Sequence, residues 1–507
     1  MRSLIPASTR GFGPIITARE KTVDDVDSVG DDPEMTHAKL SSVVKHVEGS
    51  LEAGITRLSG FLKIPAISCD RAHAGDVRRL AEHVCADLQR AGFEKCRVLD
   101  VKAPEGAHPA HPCVSAEWMK AGPKKPTVLV YGHLDLQPVK GEAWDTPPHE
   151  PVRKMTPSGE RLYARGAADD MAGWVSWLVA LEAWLTEAGE LPCNVKLLIE
   201  GEEEIGSPNL ELFMDQYPDV FAADVMVLTD TENPSTTIPG LTISLRGLME
   251  VELSVSSSNS DVHSGLWGNV VPDPCMILVK LLARLVDEDG RMALLRTAVD
   301  PAWLLESRSV PLSDEGVRQA AHLKDGVNPL PDRGLSKAAW MWRQPAVTIL
   351  STTLPSPGHE KNAIRKQASA ILSLRLAPGQ TKAEMMKAVQ ETLTTQVCGG
   401  ALVSVIEKAG GSMSWDYTPQ GPAFEAADRA YEKAWGQKLL RIGVGGSIPF
   451  VALFGRRYGD LPLILNGVMD PQTTAHGPNE SLHLGVFHKA MLANVYLLDE
   501  LATTLAR

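Results

Sequence analysis

Lys196-Leu-Leu-Ile-Glu-Gly-Glu-Glu-Glu-Ile-Gly-Ser207 begins as an apolar run and ends in a burst of acid. Leu197, Leu198 and Ile199 read as the end of a buried strand. Glu200, Glu202, Glu203 and Glu204 crowd the loop that follows. Carboxylates packed that closely repel one another unless water or a cation screens them. An isolated acidic run is most often a solvated turn. In open α/β sheets, however, ligands bind where buried strands end, so the reading depends on what stands at the other strand ends.

Four further segments repeat the pattern. Val128, Leu129 and Val130 form a short apolar strand with His133 and Asp135 just beyond it. A carboxylate two residues from an imidazole can hold its tautomer while the other ring nitrogen binds a metal. Asp224 to Asp230 is again apolar and again ends in Asp. Leu461 to Asn466 is a later strand, followed by a loop with His476 and Glu480. Asp169 and Asp170 open an apolar helical stretch, WVSWLVALEAWL. One Asp there is an ordinary helix cap; two, after a Gly-rich approach, point to a functional turn.

Strands alternating with helices predict an α/β fold with a mostly parallel sheet and one site along its carboxyl edge. Helical spacing runs through Val44, Val47, Leu51, Ile55, Leu58 and Leu62, and a second helix is expected from about Ala74 to Ala91. Between 246 and 413 the character changes. Met249 to Val255 and Ala370 to Leu376 alternate like half-buried strands, with helical segments near Met276 to Asp287 and Lys382 to Val397. This predicts an inserted α+β lid domain (246–413) within a metal-binding catalytic domain (36–245 and 414–507). The strand pattern suits edge pairing with a second copy.

Composition narrows the function. The 507 residues are 44% hydrophobic and 22% charged, with a net charge of −13. That charge disfavours nucleic acid and anionic membranes as partners. No uninterrupted apolar run is long enough to span a bilayer. The seven cysteines are scattered without a Cys-x-x-Cys, which fits a reducing, cytoplasmic setting. Residues 1–35 lack an apolar signal core; Arg2, Ser3, Ser8, Arg10 and Arg19 resemble a transit peptide, but the acidic DDVDSVGDD does not. The segment reads as a poorly ordered extension, and Met35 is an alternative start.

Two imidazoles and several carboxylates without cysteine suit zinc or manganese. Of His133, Asp169, Glu203, Glu204, Asp230 and His476, two ions need five as ligands if one carboxylate bridges, which leaves one carboxylate free to act as a general base. The residues therefore predict metal-assisted hydrolysis at a two-metal site, with amide, ester and phosphoester all open.

HLD at 133–135, RGAADD at 165–170, EGEEEIGS at 200–207, Asp230, VHSG at 262–265, GGSIP at 445–449 and AHGPNE at 475–480 make the chain resemble the aminoacylase/carnosinase family of dimetal peptidases. It looks most like the cytosolic dipeptidase branch, which includes carnosine dipeptidases. The resemblance implies a zinc-exopeptidase-type catalytic domain and a homodimer formed through the lid. It implies two divalent ions, zinc before manganese or cobalt. His133, Asp169 and Asp230 would hold one; Asp169, Glu204 and His476 would hold the other. Glu203 would be the general base, Asp135 would orient His133, and the Asp169–Asp170 peptide would be cis. His263 would reach the partner's site and stabilise the oxyanion. Arg375, Asn362, Gly446 and Ser447 would bind the substrate and its carboxylate. Asp at position 230 goes with dipeptidases and aminopeptidases. The chain departs from the family at Met171-Ala172, where Lys-Gly is usual, at Gly443, where Arg is common before GGSIP, and at Arg365, where Pro is usual. These put the pocket in question, so an amidohydrolase of N-acyl amino acids or other amides is the alternative expectation. A catalytically dead binding protein is a remoter one, opposed by the intact ligands and Glu203.

Overall fold

The computed structural model describes residues 33–446, 448–459 and 461–506. The expected N-terminal extension lies almost wholly outside the described residues, and so does Ser447. In chain order the principal strands are β1 (Glu94–Leu99), β2 (Cys113–Trp118), β3 (Thr127–His133), β4 (Asn194–Glu200), β5 (Val225–Leu228), β6 (Gly240–Leu245), β7 (Gly247–Ser256), β8 (Ala346–Thr352), β9 (Gln367–Leu376), β10 (Leu402–Glu407), β11 (Leu440–Val444) and β12 (Leu463–Leu465).

The central sheet has the order β1-β2-β4-β3-β5-β12. β4, β3, β5 and β12 run parallel, and β2 runs antiparallel to both its neighbours. β4 is buried at every position, as expected of a parallel strand covered on both faces. Helices Ala74–Arg90, Met171–Glu187, Pro422–Trp435 and Leu484–Thr504 pack on one face; Leu210–Gln216 and Pro449–Tyr458 pack on the other. Met171–Glu187 is buried through most of its length because it lies between the sheet and Leu484–Thr504, with Trp174 and Trp177 fully enclosed.

The periodic stretch from 40 to 62 is two helices, Pro33–Glu48 and Leu51–Leu62. The backbone turns at Gly49–Ser50, where Gly49 N and Ser50 Oγ both donate to the His46 carbonyl. Both helices bury apolar residues in the same core, so the periodicity runs through the break.

A second sheet, β8-β9-β7-β10, is antiparallel throughout. β7 and β9 alternate between buried and at least partly exposed residues. Their buried set packs under helices Pro274–Ala283 and Lys382–Thr394 as a separate core. A one-residue slip would turn that whole set to the other face, which fixes the register.

Residues 246–413 are not all part of this second unit. Trp303, Val310, Ala338 and Trp342 lie in the same core as Leu241 on β6 and Ile442 on β11. The stretch from Pro301 to Arg343 therefore returns to the large domain, because its aromatic residues find apolar partners there and not beneath β7 and β9.

Candidate metal centre

The carboxyl ends of the parallel strands converge. His133 is the last residue of β3, Glu203 opens a single turn of 3-10 helix after β4, and Asp230 lies two residues past β5. His476, with φ of 62°, comes from the loop after β12. Asp169 comes from the loop before Met171–Glu187, and its peptide bond to Asp170 is cis.

Two triads result: His133, Asp169 and Asp230, and Asp169, Glu204 and His476, with ligand atoms in each within 4.8 Å of one another. Asp169 belongs to both. Its Oδ1 is 3.1 Å from His133 Nε2, and its Oδ2 is 3.1 Å from His476 Nε2. Asp230 Oδ2 is 3.8 Å from His133 Nε2, and Glu204 Oε2 is 3.1 Å from His476 Nε2. The His133 side chain is fully buried, whereas that of His476 is 58% exposed.

The electrostatics suit a cation. Burial, with the added charge of Asp169, pushes the Asp230 carboxyl well above its ordinary range. Burial also pushes Glu203 well up; Glu204, Asp169 and Asp135 reinforce this and His133 opposes it. Burial would raise Asp169 too, but hydrogen bonds from His133 and His476 outweigh it and hold that carboxyl below the ordinary range. The same acidic partners, Asp169 first and then Glu204, raise His476 to about 11. Carboxylates crowded into low-dielectric surroundings, with imidazoles but no thiolate, fit divalent zinc, manganese or cobalt.

A surrounding layer fixes these groups. Asp135 does more than face His133. His133 Nδ1 bonds the Asp135 backbone carbonyl at 3.1 Å, while the nearer carboxylate oxygen is 3.5 Å away. The Asp135 carboxylate instead accepts from Glu203 N and Glu204 N, both at 3.1 Å, and from Ser68 Oγ at 2.6 Å. It therefore positions the third strand's imidazole and the acidic turn together. Asp170 stands at the helix start without capping it; its Oδ2 accepts from His133 N and Thr229 Oγ1. Gly132 permits this approach, since a Cβ there would lie 2.6 Å from that oxygen.

Three supporting residues carry roles that the sequence did not assign. Gln137 donates to Glu204 Oε2 at 2.8 Å. Glu202, counted with the acidic run, faces away from both triads and accepts from His111 N and Asn209. Glu480 is fully buried and accepts from Arg165, Gly166 N, Ala168 N and Asp169 N, latching the His476 loop to the Asp169 loop. Its proximity to His476 in AHGPNE was the available signal.

The remaining candidates lie elsewhere. His263 is exposed on a two-residue strand paired with Ala363–Ile364, and its Nδ1 accepts from Gly265 N. Exposed Asn362 sits beside it, its carbonyl accepting from Ser264 N. Arg375 is half-buried on β9, and Gly446 follows β11. Met171 and Ala172 are fully buried in the core. Gly443 is pressed against Trp342: a Cβ would meet that side chain at 2.6 Å. Arg441 does not substitute for an arginine there, since it forms a two-pronged pair with Asp428.

The model of Peptidase family M20/M25/M40 matches residues 129–500. A cysteinylglycine-S-conjugate dipeptidase of Corynebacterium striatum is 30% identical over 418 residues, covering 81% of this chain and 87% of that protein. A Cys-Gly metallodipeptidase of Schizosaccharomyces pombe is 27% identical over 480 residues, covering 92% and 98%. The crystal structure of human carnosine dipeptidase 1 has the same fold, with a TM-score of 0.73, 24% identity, and coverage of 92% of this chain and 99% of that one.

Proposed function

Because the chain belongs to peptidase family M20/M25/M40, we propose that it is a metal-dependent dipeptidase acting on small peptides with a free carboxylate. The observation that carries this reading is Asp169, whose two oxygens face the imidazoles of two separate triads. His133, Asp169 and Asp230 would hold one divalent ion, and Asp169, Glu204 and His476 the other, zinc being the first choice and manganese or cobalt the alternatives. Such ions, when bound, acidify water and polarise a carbonyl oxygen.

Glu203 then does the proton work. Its carboxylate accepts a proton from the attacking water and passes it to the leaving amine. Held by its backbone N–H to Asp135, it neighbours Glu204 but belongs to neither triad. Arg375 and the backbone at Gly446 and Ser447 bind the substrate carboxylate. His263, beside Asn362, serves the site of a second copy and stabilises the oxyanion there.

Two features support a homodimer through the smaller domain. β8 is an edge strand with Ile349 and Leu350 about half exposed. Leu266, Trp267 and Val270 also stand exposed just after His263. An apolar edge of this kind favours pairing. Among the described residues no helix is long and apolar enough to cross a membrane. All seven cysteines are free, which suits a reducing cytoplasm.

The test is a panel of dipeptides, N-acyl amino acids and aryl amides, assayed before and after chelation and after return of zinc, manganese or cobalt. Dipeptides should be cleaved best and only with metal. Preference for N-acyl amino acids would replace this reading with an acylase.

A further inference from the structure

The chain passes between the two domains at Arg246–Gly247, where β6 gives way to β7. Arg246 is half-buried at this crossing. Its Nε donates to Gly445 O at 3.3 Å and its Nη1 to Gln344 O at 3.5 Å, both long for charged donors. Nη2 makes no hydrogen bond among the described residues, but it lies against Gly445, where a Cβ would stand 3.0 Å away. Two long bonds to carbonyls do not account for a guanidinium in this position.

Arg375 shares the neighbourhood. In the β7–β9 ladder it lies opposite Leu248, two residues along the chain from Arg246, and the two guanidiniums are near enough to repel each other. The face away from Arg375 carries Met249, Leu374 and Leu376 into the core. Glu250, the carboxylate nearest in the ladder, is turned to Lys408 on the β10 side at 3.7 Å. Neither arginine has an ion pair among the described residues. Burial first, and then the charge of Arg375, pull Arg246 down to about 10. Two like charges near each other, without a carboxylate partner among the described residues, suit an anion.

We infer that Arg246 and Arg375 together form a two-guanidinium subsite for the terminal carboxylate of the substrate, with Arg246 as a residue that sets specificity for the free acid. This rests on the dipeptidase reading, and it adds a contact that spans the hinge: Arg375 belongs to the smaller domain, while Arg246 touches the Gly445 loop of the larger.

The experiment compares wild type, R246Q and R246K on one dipeptide and on its C-terminal amide. Wild type should prefer the acid. R246Q should lose about 10- to 100-fold in kcat/KM for the acid, mainly through KM, as expected for a lost charged hydrogen bond, and stay within about twofold on the amide. R246K should recover part of the loss. An equal fall on both substrates would reduce Arg246 to a structural hinge residue, and no change in the ratio would end the inference. If R246Q does not fold, the same ratio in R246K decides. A second measurement is independent of turnover: calorimetric titration of the metal-loaded protein with sulfate. Binding should weaken at least tenfold in R246Q and in R375Q. Sulfate bound by R246Q as tightly as by wild type overturns the subsite, even if every dipeptide proves inert and the dipeptidase reading itself fails.

Discussion

The two halves of the metal centre are built differently. The His133 half is closed: the side chains of His133, Asp169 and Asp230 are 0%, 7% and 9% exposed, and each comes from, or sits against, the central sheet. The His476 half opens on one side only: Glu204 and Asp169 are 3% and 7% exposed, but its imidazole is 58% exposed on a loop held in a left-handed turn. Buried groups with fixed neighbours leave a bound ion no easy way out, whereas a loop residue can swing. If two ions bind as proposed, the difference would give retention to one half and exchange, or substrate contact, to the other, with Asp169 coupling them.

The most severe way to break that comparison is Asp169→Asn, which touches both halves. Metal analysis should show both ions weakened and turnover should vanish. One ion still held tightly would mean that Asp169 is not shared. Glu203→Gln comes next. It should keep two ions and lose about 10²–10⁴ in kcat, the usual share of general acid–base catalysis. Glu204→Gln should instead lower occupancy on the His476 side. If the two variants exchange behaviours, the roles within the acidic run are shifted by one.

Gln137→Ala sharpens the contrast, since Gln137 supports only Glu204. The open-side ion should bind about 10- to 100-fold more weakly, as for other groups that orient a ligand, while the closed-side ion is unaffected. Equal weakening of both would deny the asymmetry. The smallest expected signal is complementation. His263→Ala and Glu203→Ala should each be nearly inactive. Dissociated and reassociated together, they should return roughly a quarter of wild-type activity, because half the dimers are mixed and one of their two sites is intact. A mixture as inactive as its parents, after proven exchange, would place His263 outside the partner's site.

Much of this was legible in the sequence for a simple reason. A parallel strand is a run of apolar residues, and the polar residue that ends it marks the sheet's carboxyl edge. His133, Glu203, Glu204 and Asp230 were found that way. Periodicity reports that a residue is buried, not what it is buried against. Hence two helices looked like one across Gly49–Ser50, and the Pro301–Arg343 stretch looked like part of an insert although its Trp303 and Trp342 pack on the large domain. The roles of the supporting layer were hidden for the same reason: neither Gln137 nor Glu480 reveals its partner, 67 and more than 300 residues away.

Glu480 gives the centre an order of assembly. Every ligand of the closed half has been synthesised once Asp230 leaves the ribosome. The open half must wait for His476, and its loop cannot dock until Glu480 arrives, 311 residues after Asp169. At ordinary elongation rates the interval between the two halves is about 12–50 s. A nascent chain in that interval has every residue of the closed triad but lacks the Glu480 carboxylate that holds the Asp169 backbone, so neither cradle is finished until the chain is nearly complete.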